Sequence, residues 1–129
     1  MTFPITSLYA ATLALMMIAL AAGVIIKRGK SGVSIMHGDD MNLALAMRRH
    51  GNFIENVPMA LILMALAEVQ GAAAPWLHVM GLLLVASRVV HAVGLNIESP
   101  SAPARIIGAS ATFLCIIAAS AYLLWQALH

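Results

Sequence analysis

The sequence predicts an all-α integral membrane protein, a bundle of four transmembrane helices. Three observations carry this. Of 129 residues, 62% are apolar, enough for about four stretches of the roughly 20 residues that a helix needs to cross a bilayer. Only 9% are charged, where a soluble domain carries about 25%. The charges, seven basic and five acidic, gather in short segments between long apolar runs. A soluble globular domain and a disordered tail are excluded. A nucleic-acid binder is excluded too, because seven basic residues make no useful phosphate track. The single cysteine rules out a disulfide framework and any cysteine-based zinc site.

The first span runs from about residue 5 to 26 and stops at Lys27-Arg28-Gly29-Lys30. Because the basic cluster follows the apolar run and none precedes it, the segment reads as an uncleaved span with its N-terminus outside. A polar loop leads to Asp39 and Asp40, either of which suits the N-cap of a second helix over residues 41–69. Gly71 to Pro75 makes a turn, and Pro75 suits the opening of the third span, residues 76–97. Glu98 to Pro103 is a tight connection to the fourth span, residues 104–128. One domain therefore occupies residues 1–129.

Lys27, Arg28, Lys30, Arg48, Arg49 and Arg105 fall near one side of this layout, and the opposite side holds no lysine or arginine. The positive-inside rule puts the charged loops in the cytoplasm and both termini outside.

On the second helix, Arg48, Asn52, Glu55 and Met59 share a sector about 60° wide at 100° per residue. Arg48 can snorkel to water, but a short carboxylate at the depth of Glu55 needs a partner. Arg88 lies past the middle of the third span, where an unpaired guanidinium costs at least about 3 kcal/mol. Glu55 is the acid at comparable depth, so an Arg88–Glu55 ion pair fixing helix register is expected. His91, three residues on, shares the face of Arg88, and Arg105 enters the first turn of the fourth helix. Together these residues outline a polar pocket for a small anionic ligand that also uses a carboxylate contact.

The stretch Arg48-Arg49-His50-Gly51-Asn52-Phe53-Ile54-Glu55-Asn56-Val57-Pro58 resembles the second-helix signature of the MAPEG family, the membrane-associated proteins of eicosanoid and glutathione metabolism. The core is Arg-x-x-x-Asn-x-x-Glu: Arg48, Asn52 and Glu55. The resemblance extends to Arg88-Val89-Val90-His91 and to Ala102-Pro103-Ala104-Arg105, and so covers essentially the whole chain.

That resemblance implies a homotrimer binding glutathione between protomers near the cytoplasmic side. Arg48, Asn52 and Glu55 would hold the tripeptide, whose two carboxylates suit arginines and whose ammonium suits a glutamate. His91 matches another ligand-contacting position, and Lys27 or Arg28 would meet a second carboxylate. Arg105 matches the family arginine assigned to the thiol. A free thiol has a pKa of about 8.5, and an adjacent guanidinium favours the reactive thiolate. The implied activity is glutathione transfer to lipophilic electrophiles, or reduction of lipid hydroperoxides.

The sequence departs from the eicosanoid-making branch. Leu95 and Ala109 stand where those members carry tyrosines, and Gly51 replaces a basic residue of some relatives. The chain is more similar to the short bacterial members, which implies an inner-membrane location. Two other functions compete: a scaffold that keeps the fold without catalysis, and a small four-helix multidrug-type transporter. The first span has no ionisable residue before Lys27 other than Tyr9, and so lacks the transporter's essential acid.

The remaining residues read as structural. Cys115 and the nine methionines are packing residues. Ala104, Gly108 and Thr112 form a small-residue row suited to close helix contact. Glu68 and His78 are expected to hydrogen-bond each other, and the five histidines are too scattered for a metal site.

Overall fold

A computed structural model of the protein describes residues 2–95 and 103–129. Among these residues there are four helices and no strand: α1 Pro4–Ser31, α2 Met41–Val69, α3 Ala74–Gly94 and α4 Pro103–Leu128. Each is long and apolar enough to cross a membrane, so the protein is an all-α integral membrane bundle. The expected connection from Glu98 to Ala102 lies outside the described residues, as do the last two residues of the expected third span.

Local chemistry sets the helix ends. Pro4 opens α1, where its missing N–H costs nothing. α1 runs five residues beyond the expected stop at residue 26, because Lys27 to Lys30 remain helical as they leave the apolar layer. It closes on Gly32, in the left-handed conformation at φ 67°, whose N–H donates to the Arg28 carbonyl at 3.1 Å. Of the two candidate N-caps for α2, Asp40 is used: its carboxylate accepts Asn42 N–H at 2.9 Å and Leu43 N–H at 3.1 Å. Pro58 sits within α2 without ending it, as neighbouring helices allow in a membrane span.

The helices alternate in direction. α1 packs on α2 and α3, α4 packs on α3 and α2, and α1 and α4 lie at opposite corners without touching. Leu13, Met64, Leu84 and Cys115 are among the side chains at the buried centre. Large apolar residues such as Leu15, Ile25, Ile62, Leu82 and Ile117 point outward, as they must when the solvent is lipid.

The end formed by the start of α1 and the end of α2 is tied by Glu68, whose carboxylate accepts the backbone N–H groups of Ile5 and Thr6, both at 2.8 Å. Phe3, the N-cap residue of α1, offers no side-chain acceptor, so Glu68 does that work from another helix. This corrects the expected Glu68–His78 contact. His78 Nδ1 instead shares a hydrogen bond with the Tyr9 hydroxyl at 2.9 Å. Trp76 and Tyr122 meet at the same end, ring centres 5.4 Å apart and tilted by 35°, where aromatic residues gather at a membrane interface.

Candidate functional site

The other end collects Lys27, Arg28, Lys30, Arg48, Arg49 and Arg105. There α3 and α4 approach closely because Gly108 has no side chain. A Cβ at that position would stand 2.6 Å from the Ser87 carbonyl oxygen and 2.7 Å from the His91 nitrogen. The small-residue row of α4 thus makes a close contact against α3. That approach sets Arg105 of α4 beside His91 of α3.

A cavity of about 370 Å³ opens between the N-terminal part of α2, the C-terminal end of α3 and the first turns of α4. Arg48, Asn52, His91, Arg105 and Ser110 supply its polar wall, and Leu95, Ile106 and Ala109 its apolar wall. Among the described residues, two guanidiniums and no carboxylate line it. A site of this composition favours an anion, with charge-assisted bonds available from both arginines.

Arg88 is nearly buried, at 2% exposure, directly behind this wall. Its Nη1 donates to Asn52 Oδ1 at 2.9 Å, and its Nη2 to the Gly108 carbonyl at 3.0 Å and to the Thr112 hydroxyl. Ser87 shares a further hydrogen bond with Thr112 at 2.8 Å. The expected Arg88–Glu55 pair is therefore corrected. Neutral oxygens from α2 and α4 accept from both terminal nitrogens of the guanidinium, while Glu55 lies on the exposed edge of α2 and meets Arg48 at 3.4 Å. The reason is rotational. Asn52 and Glu55 stand about 60° apart on α2, and the side of that sector turned toward α3 belongs to Asn52.

Lys27 is not brought to this cavity. It lines a separate one of about 510 Å³, with Lys30, Asp40 and Asn42. α1 and α4 occupy opposite corners and make no contact, so the end of α1 lies away from Arg105. Arg28 is engaged elsewhere: its Nη1 donates to the carbonyls of Val33 and Met36, both at 3.0 Å, and orders the loop after α1.

Two contributors escape sequence reasoning. Ser110 joins the cavity wall one turn beyond Ile106. Arg49 closes α3 by donating to the Leu95 carbonyl. A basic residue next to Arg48 reads as one more interfacial charge, and nothing in the sequence says which helix end it meets. Leu95 and Ala109, the two departures from tyrosine, both line the cavity.

Comparison with known proteins agrees with this layout. The chain matches the model of the MAPEG family over residues 6–125. It is similar to two Escherichia coli proteins, each called inner membrane protein YecN, one from strain K12 and one from E. coli O6:H1, strain CFT073. Each is 33% identical over 92 residues, covering 71% of this chain and 70% of the relative. No solved structure matches the chain significantly.

Proposed function

Because the chain belongs to the MAPEG family, we propose that it is a glutathione-dependent transferase or peroxidase acting on lipophilic electrophiles or hydroperoxides. The observation that carries this reading is the convergence of Arg48, Asn52, His91 and Arg105 on one cavity. Glutathione, the co-substrate, fits the donor set: its carboxylates meet Arg48 and the Asn52 amide, and its ammonium meets Glu55 at the rim, beside Arg48. Arg105 holds the thiol as thiolate.

The thiolate sulfur forms a bond to an electrophilic carbon as the leaving group departs with its electron pair. With a hydroperoxide, sulfur takes the terminal oxygen as the O–O bond breaks and an alcohol leaves, and a second glutathione then yields the disulfide and water. The apolar wall of Leu95, Ile106 and Ala109 would receive the lipid-dissolved substrate.

The functional unit we propose is a homotrimer in the inner membrane, with the charged end cytoplasmic and both termini outside. The names of the two E. coli relatives support the compartment. In a trimer, Lys27 of a neighbouring protomer would complete the site that α1 cannot reach within its own chain.

A thermal-shift titration of the detergent-purified protein with glutathione tests this. A ligand that binds the folded state must raise its stability. The expected result is a rise at millimolar glutathione that shrinks in Arg105→Ala, with conjugation to a model aryl halide or consumption of a lipid hydroperoxide. No rise in the wild-type protein would sink the reading. A second reading, a scaffold without catalysis, is favoured by Leu95 and Ala109 on the cavity wall; a rise with neither activity would support it.

A further inference from the structure

We propose that Arg88 is a positioning residue that sets the polarity of the cavity by fixing which way the Asn52 amide points. The inference rests on the glutathione reading for its ligand, but its core concerns the ligand-free protein. A guanidinium has donors only. The Asn52 atom 2.9 Å from Arg88 Nη1 must therefore be the amide oxygen. Nδ2 is left as the free polar atom of a side chain on the cavity wall. Arg88 is itself held in place by α4, through the Gly108 carbonyl and Thr112. It is held against releasing the amide, because it is buried and bonded to the Gly108 carbonyl.

Without Arg88, Asn52 could turn either its oxygen or its nitrogen to a ligand. With it, Asn52 presents only its amide donor to the cavity, beside Arg48 and Arg105. The Asn52 position then favours an anionic or acceptor group over a cationic one, since its free polar atom can only donate. The arrangement has a cost. Among the described residues no carboxylate lies on Arg88, and its Nε is buried without a partner. An acid in place of Asn52 would give Arg88 a charge-assisted partner, so stability and ligand polarity pull in opposite directions at this residue.

Asn52→Asp separates the two. The introduced carboxylate gives Arg88 an anionic partner in the same geometry, but it places an acceptor on the cavity wall. Thermal unfolding of the ligand-free, detergent-purified protein is measured for wild type, N52D and the apolar N52L, each also in an Arg88→Gln background, followed by a glutathione titration. The expected order of Tm is N52D above wild type by about 3–5 °C, with N52L below wild type, and the N52D gain vanishes with R88Q. Glutathione affinity of N52D falls about tenfold or more.

If N52D unfolds at or below the wild-type temperature, or keeps its gain in the R88Q background, Arg88 does not orient the amide and the inference fails. If R88Q does not fold, the order of N52D, wild type and N52L decides alone. An N52D protein with wild-type glutathione affinity also overturns the polarity argument. Absence of any glutathione shift in wild type refutes the functional reading and leaves the ligand-free order to judge the positioning role.

Discussion

Arg49 closes the C-terminal end of α3 by donating from Nε and Nη2 to the carbonyl of Leu95, at 3.2 and 2.6 Å. The last carbonyls of a helix have no partner within it and carry its negative dipole end, so a guanidinium there satisfies an acceptor and a charge at once. Leu95 also lines the cavity, which makes Arg49 a brace for one wall. Arg49→Met should lower stability by about 1–2 kcal/mol, and Arg49→Lys should recover part of it. Thermal unfolding of the three proteins checks this. Equal stability would mean that the contact is replaced by water at the interface.

A second inter-helix cap lies at the opposite end. Glu68 receives the first free N–H groups of α1 from the end of α2. Its removal in Glu68→Ala leaves two donors without a protein acceptor, at a cost of about 1–2 kcal/mol. Glu68→Gln, with one oxygen left, should cost less. Hydrogen exchange at Ile5 and Thr6 gives the local check. Both amides should exchange faster in the alanine variant, while the amides of α4 keep their rates.

The two ends show what a linear reading resolves. Long apolar runs set the four spans, because crossing a bilayer needs length more than pattern. Arg48 and Asn52 were legible as one face, since 100° per residue is a property of a single helix. Partner choice between helices was not. Glu55 is the nearest acid to Arg88 in depth, yet the rotation of α2 offers Arg88 the neutral Asn52 instead. The Gly108 carbonyl that accepts from its Nη2 is invisible in sequence because every residue has one, and only the close approach at that glycine brings it within reach. Glu68 failed to meet His78 for a similar reason: two backbone N–H groups at the start of α1 compete for it and win.

The close approach at Gly108 can be tested directly. Gly108→Ala places a Cβ against backbone atoms of Ser87 and His91, neither of which can rotate away. The helices must part, at a cost of about 1–3 kcal/mol, and His91 and Arg105 separate with them. Stability and the glutathione shift should therefore fall together. Gly23→Ala is the control, since nothing lies within 4 Å of its Cβ. In the middle of α1 it should hold or raise stability by up to about 1 kcal/mol. Equal effects in the two variants would show that α3 and α4 are not locked at Gly108.

Leu95 separates the enzyme from the scaffold. Its side chain lines the cavity on the α3 side, where a hydroxyl would add a donor to a wall that has two arginines but little else on its apolar half. Leu95→Tyr should tighten glutathione by about fivefold, the worth of one neutral hydrogen bond near 1 kcal/mol. If Arg105 already activates the thiol, the gain extends to turnover, because a second donor at sulfur stabilises the thiolate further. If the chain is a scaffold, affinity rises and conjugation stays at the uncatalysed rate, since a donor cannot substitute for a missing route from the lipid to the sulfur. Paired measurement of affinity and turnover in this one variant distinguishes the cases. Unchanged affinity would mean that Leu95 does not face the bound thiol.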